Sequence, residues 1–103
     1  MKRNLFSLVL CVSGLFSASA TTIAHATGAS LHQEKCATCH QNLVPTGDGS
    51  VLYLRSDRKV QSLRKLASQV GFCNTELRLD LFPEDEAELV KYLNQQFYKF
   101  PAP

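Results

Sequence analysis

The sequence predicts an all-α chain of about three helices. Two segments repeat apolar residues at helical spacing. Val60, Leu63, Ala67 and Val70 recur at i, i+3, i+7 and i+10, and Val90, Leu93, Phe97 and Phe100 do the same. A helix-start signal stands before each of three segments, and Pro- and Gly-bearing stretches separate them. The first helix is expected to start at a capping box, Ser30 with Gln33, and to run through residues 35–40, KCATCH. Pro45, Gly47, Asp48 and Gly49 then read as loop, and Val51 to Leu54 as a short extended piece or buried loop. The second helix is expected to start with Ser56 or Asp57 as N-cap and to stop at Gly71. The third starts at Pro83, which suits a first helical position, and Glu84, Asp85 and Glu86 load its first turn with favourable negative charge. Pro101 and Pro103 close the chain.

The 103 residues are not all expected to belong to the fold. Lys2 and Arg3 precede an apolar run from Leu5 to Phe16, and two small-residue triplets follow, Ala18-Ser19-Ala20 and Ala24-His25-Ala26. That order of charge, apolar core and small residues is a secretory signal peptide, residues 1–20 or 1–26. A retained N-terminal anchor is the competing reading, but the run is short for a bilayer span. Cys11 does not make a lipoprotein signal, because Leu10 stands where a small residue is wanted. The expectation is a single domain over residues 27–103, periplasmic or secreted, with no stable membrane span after cleavage. So short a domain buries little surface and gains from a staple. The formal charge of +2 comes from 11 Lys+Arg against 9 Asp+Glu, and Lys2 and Arg3 account for the whole excess. The remainder is neutral, which gives no general bias toward nucleic acid or anionic membrane. It is polarised along the chain. Arg55, Arg58, Lys59, Arg64 and Lys65 cluster in one stretch, and Glu76, Asp80, Glu84, Asp85, Glu86 and Glu88 in another. Such a dipole could orient a partner, or the two clusters are solvated helix faces.

The chemistry is concentrated in KCATCH. Cys-x-x-Cys-His is the attachment signature of c-type haem. Cys36 and Cys39, one helical turn apart, can form thioethers to the two vinyl groups on one porphyrin edge, and His40 can turn its imidazole under the ring to the iron. Export agrees, since haem of this kind is attached outside the cytoplasm. Two other readings weigh against it. A thioredoxin-type Cys36–Cys39 disulfide would want a preceding strand and a βαβ pattern, which are missing. A zinc site would want a second ligand pair, for which only His32 and Cys73 remain.

Helix with the haem motif, long loop, helix, loop and terminal helix is an order that resembles the class I cytochrome c fold, in which first and last helices cross beside one covalent haem. In ordinary carriers of that kind a methionine is the sixth iron ligand. The only methionine here is Met1, inside the expected leader. The alternatives are Asn74, an open site, Cys73, a lysine (Lys59 or Lys65) and His32. Cys73 and Asn74 are expected between the second and third helices. The stretch GFCNTEL, residues 71–77, with PEDEAELVKYLN, residues 83–94, resembles the sphaeroides haem protein family. That resemblance implies Asn74 as a distal ligand that leaves on reduction and opens a site for a diatomic gas such as O2, NO or CO. Family members pair the cysteine before the asparagine with a later one, and no cysteine follows Cys73 here. Cys73 is thus an odd thiol: buried and inert, joined to another chain, or a thiolate ligand. Arg55 and Tyr53 are candidates to hold a haem propionate. The expected function is one-electron transfer with redox partner proteins through a haem whose sixth site is open or filled by something other than methionine. Binding or sensing of a diatomic gas is the alternative. No enzyme is expected, because no distal histidine is available for peroxidase-like acid–base work.

Overall fold

The computed structural model describes Gly14, residues 17–19 and residues 26–101; the expected leader and His25 fall almost wholly outside them. Within the described residues the chain is helical and holds no strand. Five helices follow one another: α1 (Gly28–Lys35), α2 (Ala37–Asn42), α3 (Val51–Leu54), α4 (Leu63–Leu77) and α5 (Pro83–Leu93), the last running into a π-helical turn, Asn94–Tyr98. No described helix is long and apolar enough to cross a membrane.

The first helix starts earlier than Ser30. Thr27 is the N-cap, its Oγ1 accepting from the Ser30 N–H at 3.2 Å. The extra turn brings Gly28 into the crossing with α5. A Cβ there would lie 2.4 Å from the Glu88 carbonyl oxygen and 2.5 Å from Tyr92 Cβ, so only glycine allows this approach. The first and last long helices therefore cross at Gly28, and Leu31, one turn on, is buried beside them.

The second long helix starts later than Ser56 or Asp57 and ends later than Gly71. Ser62 caps it, Oγ accepting from the Lys65 N–H at 3.1 Å. Gly71 stays inside the helix, where a Cβ would meet only Glu86 carboxylate oxygen at 3.5 Å. The left-handed stop comes at Arg78, φ 50°. What holds the chain helical to Leu77 is Asn74: its backbone carbonyl accepts from Leu79, and its side chain gathers the following loop. Residues 51–54 form a single helical turn rather than an extended piece, opened by Asp48, whose Oδ1 accepts from both Ser50 N and Ser50 Oγ.

At α5 the expected Pro83 start is observed, and Asp85 reaches back to accept from the Phe82 N–H at 3.0 Å. The π turn ends at Lys99, φ 60°, and Asn94 ties the chain end down through two bonds to the Phe100 backbone, 2.8 and 3.1 Å. The core is Leu31, Tyr53, Val60, Leu66, Val70, Leu89, Leu93 and Tyr98, drawn from every helix except α2.

Candidate functional site

The motif sits at a break. Cys36 leaves helical geometry (φ −121°, ψ −45°) between α1 and α2, yet its N–H still reaches the His32 carbonyl at 3.0 Å, and its own carbonyl accepts from the His40 N–H at 3.1 Å. Cys36, as the N-cap of α2, is thereby joined to Cys39 and His40 within the helix. Both cysteines are free thiols, Cys36 partly buried and Cys39 exposed. The loop after α2 folds back on His40: a Cβ on Gly49 would lie 2.8 Å from the His40 carbonyl carbon and from His40 Cβ, so glycine lets the loop pack directly on the α2 backbone.

All three motif residues line a cavity of about 350 Å³, within the roughly 300–1,000 Å³ typical of cofactor pockets. α4 supplies one wall through Leu66, Gln69, Val70, Cys73 and Leu77, spaced to share one helical face. Leu89 and Leu93 of α5 close the floor. Lys35, Arg55, Arg58 and Lys59 stand along the lining, and no Asp or Glu does. Arg58 is fixed by structure: Nη1 donates to the Tyr53 carbonyl at 2.7 Å, and the guanidinium lies over the Tyr98 ring, 4.8 Å from its centroid. Arg55 is freer, pairing only with Asp57 at 3.5 Å at the surface.

His40 Nδ1 is buried with no hydrogen-bond partner. Such an atom costs about 1–3 kcal/mol and calls for an explanation. Burial lowers the His40 pKa, which keeps the imidazole neutral, the form that ligates metals. Burial, with Cys73 and Cys39 adding to it, pushes the Cys36 thiol up to about 11. An apolar cavity lined by three thiols, a neutral imidazole and basic side chains could hold one apolar, iron-bearing group with carboxylate arms. The motif residues would hold it covalently and through iron, and the basic residues would face its carboxylates. No group of three or more His, Cys, Asp or Glu among the described residues is arranged to hold a metal ion. A haem iron needs fewer protein ligands, since the porphyrin supplies four.

The other sequence candidates separate. Tyr53 lines the cavity with its ring 5.0 Å from that of His40, but its hydroxyl is engaged by His32 Nε2 at 3.0 Å. His32 thereby stands on the α1 side, its pKa lowered by burial and by His40. Cys73 and Asn74 lie inside α4, not in a loop after it, and they face different ways. Cys73 lines the cavity. Asn74 does not; its Nδ2 donates to the Leu81 carbonyl at 3.0 Å and to Glu86 Oε1 at 2.7 Å, and its Oδ1 accepts from the Leu81 N–H at 3.0 Å. Lys59 lines the cavity and Lys65 is exposed outside it. Gly49 was read only as a loop residue, because nothing in a sequence marks a glycine as a point of close approach. The role of Arg58 was hidden within a basic cluster.

No family model matches the chain, and no curated protein or solved structure matches it.

Proposed function

We propose that the protein is an exported c-type cytochrome that carries single electrons through one covalent haem. The observation that supports this most is that Cys36, Cys39 and His40 line one apolar cavity with a basic, acid-free margin. Cys36 and Cys39 are the thioether positions and His40 the proximal ligand. When bound, the haem supplies a one-electron Fe(III)/Fe(II) couple. The chain's own contribution is to bind and to insulate. Leu66, Val70, Leu89 and Leu93 exclude water from the cavity. Gly49 lets the loop after α2 pack against the His40 backbone. Arg55 and Lys59, with Arg58 behind them, offset two carboxylates. Exposed Leu43 and Leu77 on the lining give redox partner proteins an apolar point of approach. The protein acts as a carrier and not as a catalyst.

The test is expression of the full chain, leader included, in a host that matures c-type haem. The purified product should keep its haem after acid denaturation, and Cys36→Ser with Cys39→Ser should release it. A chain that never holds haem covalently overturns the proposal.

Binding of a diatomic gas is a second reading. It is favoured by the aliphatic α4 wall and by the lack of any methionine but Met1. Uptake of carbon monoxide by the reduced protein would support it.

A further inference from the structure

Building on the haem assignment above, we propose that Tyr53 is the positioning residue for the proximal ligand: its buried ring, tethered through its hydroxyl to His32, sets the plane of the His40 imidazole. A ligating imidazole can turn about its bond to the metal, and a hydrogen bond from its other ring nitrogen is the usual restraint. His40 has no such bond among the described residues. Its Nδ1 is buried and unpartnered, which leaves Nε2 as the nitrogen available to iron. The ring must then be held by what packs against it.

Tyr53 meets that need. Its ring centroid lies 5.0 Å from that of His40, with 38° between the planes. The loop that brings it there is itself seated on His40: Gly49 packs on the His40 backbone, and α3, which carries Tyr53, starts two residues later. Tyr53 is fixed at several points. It is buried, its N–H donates to the Ser50 carbonyl at 2.9 Å, and Arg58 Nη1 donates to its own carbonyl at 2.7 Å. Its hydroxyl meets His32 Nε2 at 3.0 Å. Burial keeps His32 neutral, so that nitrogen can accept from the phenol. Phe97 and Tyr98 both reach the Tyr53 ring, with centroids 5.1 and 5.8 Å away. Successive residues of a regular α-helix do not face the same way. The π turn Asn94–Tyr98 is where these two are brought to one ring, and such turns recur at functional sites. With its hydroxyl on His32, Tyr53 serves the imidazole and not a haem carboxylate.

Variants of the purified holoprotein test this. Haem content by mass under denaturing conditions is read first, because it reports the haem assignment alone. Proton NMR of the ferric holoprotein with excess cyanide then reads the imidazole plane. Cyanide is cylindrical, so the spread of the haem methyl shifts follows the proximal ring. A holoprotein that takes no cyanide is read in its own ferric form. Tyr53→Leu should change the spread most. Tyr53→Phe and His32→Leu remove one hydrogen bond from its two ends, so each should give a smaller change of like size, and the double variant no more than either. Ser62→Ala, which loses the α4 cap, should leave the spread unaltered. A chain without haem overturns the haem assignment and this role with it. With haem bound, an unchanged spread in Tyr53→Leu, or in His32→Leu where Tyr53→Leu does not fold, overturns the role of Tyr53 alone. So does an equal change in Ser62→Ala, or a double variant that shows the sum of the two single changes.

Discussion

The crossing of α1 and α5 and the α4 wall of the cavity are both lined by aliphatic side chains, yet they are finished in different ways. At the crossing the backbones themselves approach: Gly28 lies so close to Glu88 and Tyr92 that even a methyl group has no room, and Leu31, one turn on, is buried. Along the α4 wall Leu66 and Val70 are buried, but the rim is open. Leu77 is 54% exposed, and Leu43, on the same lining, is 70% exposed. The first region is complete with protein atoms alone. The second has an apolar surface and a basic margin, and a bound apolar group would cover that surface.

The largest expected effect breaks the second region and leaves the first. Cys36→Ser with Cys39→Ser should remove all covalent haem and expose the α4 wall, seen as lost visible absorbance and a broadened thermal transition. A sharp, unshifted transition would mean that the wall needs no group to cover it. Gly28→Ala attacks the first region instead. Forcing a methyl into the Glu88 contact should cost about 1–3 kcal/mol in urea unfolding, with the haem spectrum unaltered. A neutral result would show that α1 can slide on α5 without loss.

Asn74→Ala separates a structural asparagine from a ligand. It frees the Leu81 N–H and carbonyl, so it should cost about 1–2 kcal/mol and leave the oxidised spectrum unchanged. A changed spectrum would return Asn74 to the iron. The smallest effect concerns pH in the haem-free chain. Burial lowers the pKa of His32 and His40 below the ordinary 6.5. As pH falls through that value the unfolded chain takes up protons that the folded chain resists, so stability is full above it and declines below it. Urea midpoints at about pH 7 and about pH 5.5 should differ in that direction. His40→Ala and His32→Ala should each reduce the difference.

The all-α class, the Pro83 start and the apolar faces of α4 and α5 were legible because periodicity and caps are local signals. That Cys36, Cys39 and His40 come together on one cavity was expected for the same reason: they lie within six residues. The limits of α4 were not. Gly71 resembles a stop, and the side chain that carries the helix past it, Asn74, makes its bonds to Leu81 and Glu86 across a loop. That long-range bonding also separates Cys73 from Asn74, neighbours in sequence that face different surroundings. Thr27 displaced Ser30 as a cap because the earlier start brings Gly28 to α5, a tertiary gain that no local pattern records.

The most direct measurement is the mass, under denaturing conditions, of the exported chain purified from a host that attaches c-type haem. The account predicts one species heavier than the processed polypeptide by a single haem, with the added mass on the peptide holding Cys36 and Cys39. A bare polypeptide of processed mass from the same host, with both cysteines unmodified, would contradict it.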